Sequence, residues 1–179
     1  LHALGLRALA LGVDGADRRL DRDRGGAVIR ALAAGEIALA REAFGDALRY
    51  ETIRILTAPW PLTRAFVPGQ WFGRGWIVWP AKTLPPDISA APLGAQATFI
   101  HELTHVWQAA HGVNLLTGKL KAGDRPESYR YPLGADCAWE GLNIEQQAMV
   151  VEHRFRLSKG QTVPADRAFY DRVCPINRR

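Results

Sequence analysis

The sequence predicts an α+β domain, mostly helical with a small sheet. Three observations carry this. A long apolar helical pattern spans 89–110, and a capped amphipathic one starts at Asn143. Two short β-branched and aromatic runs, TIRIL at 52–56 and GWIVW at 75–79, lie upstream of both helices. Few short strands beside longer helices point to α+β with a small sheet.

The 179 residues suffice for one domain with a real core. The expected organisation is a flexible N-terminal arm over 1–25 and a single domain over 26–179. The arm contains VDGADRRLDRDRG at 13–25, which is polar, charged and glycine-bearing. Ahead of it, LHALGLRALALGV lacks a basic start and carries Arg7 inside its apolar run, unlike a secretory signal. The chain opens at Leu1 without an initiator methionine, which leaves room for an upstream targeting segment.

The next residues are rich in Ala, Leu and Glu and read as two helices, 27–34 and 36–48, broken at Gly35. In the second, Ile37, Ala40, Phe44 and Leu48 recur at helical spacing and form a core face. TIRIL is the first strand. Residues 58–74 hold three prolines and two glycines and read as a long loop. GWIVW is the second strand, stopped by Pro80, with tryptophans suited to packing. Ser89 can cap the central helix, Pro92 fits its first turn, and Gly112 ends it. Residues 113–141 read as a long connection. Asn143 then caps the last long helix with Gln146 as its capping-box partner, and Ile144, Ala148, Val151 and Phe155 form the apolar stripe. Past Gly160 the tail reads as irregular with a helical turn or two at 166–173.

Composition excludes several classes. Hydrophobic residues make up 47% and charged residues 23%, which excludes a disordered interaction chain. No stretch approaches a membrane span. The net charge is +5, yet Lys and Arg are scattered, so nucleic-acid binding is not expected. The two cysteines, Cys137 and Cys174, lie far apart with no CxxC, which excludes a cysteine zinc knuckle. Either one disulfide or two thiols is consistent with their positions.

Chemistry concentrates at His101-Glu102-Leu103-Thr104-His105, an HExxH motif inside the central helix. Residues four apart share a helix face, so both imidazoles can reach one ion with Glu102 beside them. Ordinary core packing would place two histidines and a glutamate badly in an apolar helix. A catalytic zinc takes three protein ligands and keeps one position open. Four residues compete to be the third. His111 completes HExxHxxQxxH, but Gln108-Ala109-Ala110 continues the helix and turns His111 about 240° from His105. Asp136 sits in GADCAWEG, a loose match to another zinc-peptidase pattern. Glu152 can instead pair with Arg156 at i+4. Glu145, in the first turn of the last helix, is the strongest, because a Glu from a second helix completes the gluzincin arrangement.

The segments AAGEIALAREAFGDALRY, FIHELTHVWQ and GLNIEQQAMVVEHRF occur in that order. Together they resemble the Vgr-related proteins, a bacterial family of metallopeptidase-like proteins associated with type VI secretion. These are similar in turn to HELTH-containing peptidase-like domains of polymorphic toxins. The resemblance covers 33–157, with HELTHVWQ and IEQQ its specific parts, and matches 114–133 least. It implies a minimal zincin-like fold, Zn2+ held by His101, His105 and Glu145, and Glu102 as catalytic base. It also implies an effector or toxin made in the bacterial cytoplasm before export and secreted from there. Expected partners are a peptide or protein substrate, a secretion-apparatus protein and a cognate immunity protein. Tyr129, Tyr131 and His153 are the open candidates for an oxyanion donor, and 75–79 for a strand that pairs with an extended peptide. Two other functions compete: a non-catalytic adaptor with a structural zinc, and an amidase of envelope peptides.

Overall fold

The structure is a computed structural model that describes residues 27–123 and 125–177. The proposed arm at 1–25 lies outside the described residues. The architecture is α+β, with five helices and a four-stranded sheet among the described residues.

The described residues open with strand β1, Ile29–Ala31, and helix α1, Ala34–Phe44. The helix expected at 27–34 is therefore absent: Ile29–Ala31 pairs antiparallel with strand β2, Ile53–Ala58. Alanine and leucine favour a helix only weakly, and a ladder partner overrides that preference. Gly35 is not a break. It lies in the first turn of α1, where a Cβ would collide with Asp87 and Ser89.

Strand β3, Phe66–Trp71, and strand β4, Arg74–Pro80, complete the sheet in the order β1-β2-β4-β3. β4 runs parallel to β2 with Ile55 opposite Ile77, and β3 runs antiparallel to β4 with Trp71 opposite Arg74. Two expectations fail here. The segment 58–74 is not all loop, because FVPGQW forms β3. Pro68 and Gly69 obscure it, but both are tolerated on an edge strand, and the pairing is irregular between Phe66 and Gly69. GWIVW is not the edge that could take an extended peptide. β4 is interior, with Ile77, Val78 and Trp79 buried, and β3 is the edge beside it.

Helix α2, Leu93–Ala110, packs against β3 and β4 and against helix α4, Ile144–Ser158. It is buried nearly all round. Gly75 makes the close approach to β4 possible: a Cβ there would sit 2.5 Å from Val106 Cγ1. Ser89 does not cap α2. It belongs to a separate 3-10 turn, Ile88–Ala90, whose cap is Asp87, and Pro92 is the N-cap residue of α2. Gly112, with φ +82°, ends the helix as expected.

The connection at 113–141 is more structured than expected. It contains helix α3, Leu115–Ala122, capped by Asn114, and 3-10 turns at Pro126–Tyr129 and Trp139–Gly141. Asn143 and Gln146 form the expected capping box on α4, at 2.9 and 3.0 Å. Helix α5, Arg167–Val173, is capped by Asp166 and packs on α4. Cys137 and Cys174 are buried and are not joined to each other. No described helix is long and apolar enough to cross a membrane.

Candidate metal centre

Two helices build the site. α2 carries His101 and His105 one turn apart, with ring centroids 5.0 Å from each other. The capping box fixes the start of α4 and so places Glu145, its second residue, against them. Glu145 Oε2 lies 3.2 Å from His101 Nε2 and 3.3 Å from His105 Nε2. Ligand atoms of His101, His105 and Glu145 all lie within 4.8 Å of one another.

Other side chains set the tautomers. His101 Nδ1 lies 3.1 Å from Glu152 Oε2, and Glu152 Oε1 accepts from Arg156 Nε at 2.8 Å. His105 Nδ1 lies 2.7 Å from Gln108 Oε1. The Gln108 amide can turn only one way. Its Nε2 donates to Ile144 O at 3.0 Å and to Gln147 Oε1 at 2.8 Å, and Gln147 Nε2 donates to Trp139 O at 3.0 Å. An oxygen therefore faces each Nδ1, each Nδ1 carries a proton, and both Nε2 atoms converge on Glu145. Two ring lone pairs and a carboxylate oxygen at this range repel unless a positive charge stands among them.

A proton can supply that charge as well as a metal can. Burial opposes charge on His101, yet the Glu145 and Glu152 carboxylates overcome it and push its pKa up to about 9. Burial likewise opposes charge on Glu145, but hydrogen bonding to His101 and His105 holds it well below the usual carboxylate range. Glu152 is also lowered, with burial outweighed by His101 and Arg156. Glu102 moves the other way: burial raises it, partly offset by His105 and His101.

The residues fit a divalent metal on two grounds. The cluster offers two imidazole nitrogens and a carboxylate oxygen, a donor set of the kind that suits zinc with room for a fourth group. The buried Oε1 of Glu145 and Oε2 of Glu102 accept no hydrogen bond, an unusual condition that a cation or a reacting water would relieve.

These groups form the floor of a cleft of about 880 Å3, with His101, Glu102, His105 and Glu145 all lining it. Its walls include Arg64 and Phe66 at the start of β3 and Leu116, Lys119 and Leu120 on one face of α3.

The remaining sequence candidates separate cleanly. His111 caps the end of α2, exposed and tilted against Trp107 at 4.1 Å between centroids, and is not part of the cluster. Asp136 is exposed and outside it. Glu152 orients His101 and pairs with Arg156 at once. Of the three oxyanion candidates, Tyr129 lines the cleft. Tyr131 is instead bonded to His153 Nδ1 at 2.6 Å and to Tyr170 at 2.9 Å, and neither Tyr131 nor His153 lines the cleft. Sequence reasoning passed over Gln108 and Lys119. A glutamine three residues after His105 in an otherwise apolar helix was the available signal for the first. Lys119 lay in the segment 113–141, read as a long connection with no particular residue singled out.

No protein-family model matches the chain. A search of curated proteins found 36% identity over 138 residues, 70% of this chain, to the type VI secretion system spike protein VgrG2b of Pseudomonas aeruginosa. The match takes in 13% of the length of that relative. Among solved structures, the effector domain of Pseudomonas aeruginosa VgrG2b is similar at 34% identity and a TM-score of 0.60, with 78% of each chain covered. The chain thus belongs to the Vgr-related family that includes the VgrG2b effector domain.

Proposed function

We propose that this domain is a zinc-dependent hydrolase of peptide bonds, with a zincin-like fold, acting as a type VI secretion effector. One observation carries the reading. His101 Nε2, His105 Nε2 and Glu145 Oε2 meet at 3.2 and 3.3 Å on the floor of a cleft, with Glu102 beside them. Zinc held by His101, His105 and Glu145 supplies a Lewis acid that acidifies water and polarises a carbonyl.

The chain's own residues do the rest. Glu152 and Gln108 hold the two rings by their Nδ1 protons, so both Nε2 lone pairs stay aimed inward. Glu102 is raised by burial, which makes its carboxylate a stronger base for a water proton. It then returns that proton to the leaving amine. The edge of β3, next to the Arg64 and Phe66 walls, can pair with an extended peptide and lay it across the cleft.

A non-catalytic module with a structural zinc would have no use for a buried carboxylate whose Oε2 lacks a partner. The partners that follow are a peptide or protein substrate, a secretion-apparatus protein for export and an immunity protein in the producing cell. The test is metal analysis of purified protein followed by a broad peptide-cleavage screen with and without chelator. One zinc per chain and chelator-sensitive cleavage are expected. Glu145→Ala should lose most of the zinc, and full metal content in that variant would refute the ligand assignment.

A further inference from the structure

Helix α3 aims a cation at the metal centre. Lys119 Nζ lies 3.8 Å from Glu145 Oε1, the carboxylate oxygen that accepts no hydrogen bond. That range allows attraction but is too long for a hydrogen bond. A lysine placed to hold Glu145 would close the gap to about 2.8 Å. This one stands off, on the cleft wall, with its side chain 45% exposed.

The placement is built in. Leu115 anchors α3 in the core, and the Asn114 side chain caps it by accepting from Thr117 N at 3.0 Å. Gly118 lets α3 close on the start of α4: a Cβ there would lie 2.9 Å from Ile144 Cδ1. Lys119 and Glu145 directly follow those two contacting residues. The tight Gly118–Ile144 contact therefore sets the height of the ammonium over the site.

We propose that Lys119 is a catalytic residue, the one that neutralises the oxyanion developing on the scissile carbonyl. This rests on the zinc-hydrolase reading above. In the attack, a lone pair of water forms a C–O bond at the carbonyl carbon, and the C=O π pair moves onto the carbonyl oxygen. The water proton passes to Glu102. Lys119 donates an N–H and a full charge to that oxygen and keeps all its protons. On collapse the pair returns to carbon, the C–N bond breaks, and Glu102 delivers its proton to the nitrogen. A donor matters most where charge develops and the surroundings are partly desolvated. Tyr131 and His153 are bonded to each other outside the cleft, and Tyr129 stands beside His101, at 6.4 Å between centroids.

The experiment compares zinc-loaded wild type with Lys119→Met, Lys119→Arg and Gly118→Ala. It reads kcat and KM on a peptide from the cleavage screen, zinc affinity by chelator competition, and melting temperature. Lys119→Met should lower kcat by about 10²–10³-fold with little change in KM. It should also bind zinc about fivefold more tightly, since a cation about 4 Å from a ligand oxygen no longer repels the ion. Lys119→Arg should keep more of the turnover, and Gly118→Ala should lose part of it by lifting α3. Wild-type kcat in a folded Lys119→Met protein would overturn the assignment. Weaker zinc binding in that variant would overturn it too, because it would mean that the lysine only holds Glu145. A wild-type protein without zinc-dependent cleavage would defeat the hydrolase reading itself, a different outcome from an active wild type that is indifferent to Lys119.

Discussion

Glu36 and Glu145 are both buried carboxylates in the first turn of a helix, yet their surroundings are opposite. Each oxygen of Glu36 takes two donors. Arg30 reaches both at 2.7 Å, Ala33 N reaches Oε2 at 2.8 Å, and Ile88 N reaches Oε1 at 3.0 Å. Those bonds tie β1, α1 and the turn at Ile88–Ala90 together. Glu145 meets two imidazole nitrogens with one oxygen and no hydrogen-bond donor with the other. Evolution can satisfy a buried carboxylate completely when its task is to hold the fold. The incomplete shell around Glu145 is what the proposed ligand role requires.

Substitutions can sharpen or break that contrast. The largest effect is expected from Glu102→Gln, which should lower turnover by about 10²–10⁴-fold while zinc content and melting temperature hold. A loss of zinc in that variant would move Glu102 from the chemistry to the scaffold. Glu36→Ala should do the reverse. Chemical denaturation should show a loss of about 2–3 kcal/mol, below the full cost of breaking a buried pair because Arg30 keeps some solvent contact. Its zinc affinity, measured on folded protein, should match wild type.

A smaller effect belongs to the orienting residues. Gln108→Leu and Glu152→Gln should each weaken zinc by about 10–100-fold, read by chelator competition, with the fold retained. Gln108→Leu at wild-type affinity would show that the amide chain is packing alone.

The gentlest probe is pH. The folded pKa of His101 is raised to about 9 from an ordinary 6.5, so its favourable contribution is complete below about pH 6.5. It is lost as pH rises through about 9. Chelator-treated protein should therefore melt at lower temperature at pH 9 than at pH 6. Zinc-loaded protein should not, because its ligands bind best when deprotonated. Glu145 has the opposite sign: its folded pKa is depressed, so its contribution is lost only as pH falls below the ordinary carboxylate range.

How much of this could be read in the sequence follows from what each residue reports. HELTH and Asn143-Ile144-Glu145-Gln146 state their geometry locally, through helix periodicity and a capping box, so the residues that cluster at the site were legible. The partnership of the two helices was not a spacing rule but a tertiary fact. β3 was hidden because Pro68 and Gly69 argue against a strand unless it is an edge, and edge status is set by neighbours. β1 was hidden because its pairing with β2 outweighs local preference. Lys119 became visible only once Gly118 was seen pressed on Ile144.

The proposed ligands come from α2 and α4, separated by the segment that forms α3 and two 3-10 turns. Any ion they share is a cross-link between those helices that can be withdrawn. Under mass action, a bound ligand at 100 times its dissociation constant adds about 2.7 kcal/mol of stability. The two cysteines add no covalent bond in its place. The endurance of this domain would then follow the free zinc of whichever compartment it enters, so a zinc-starved surrounding would shorten its life there.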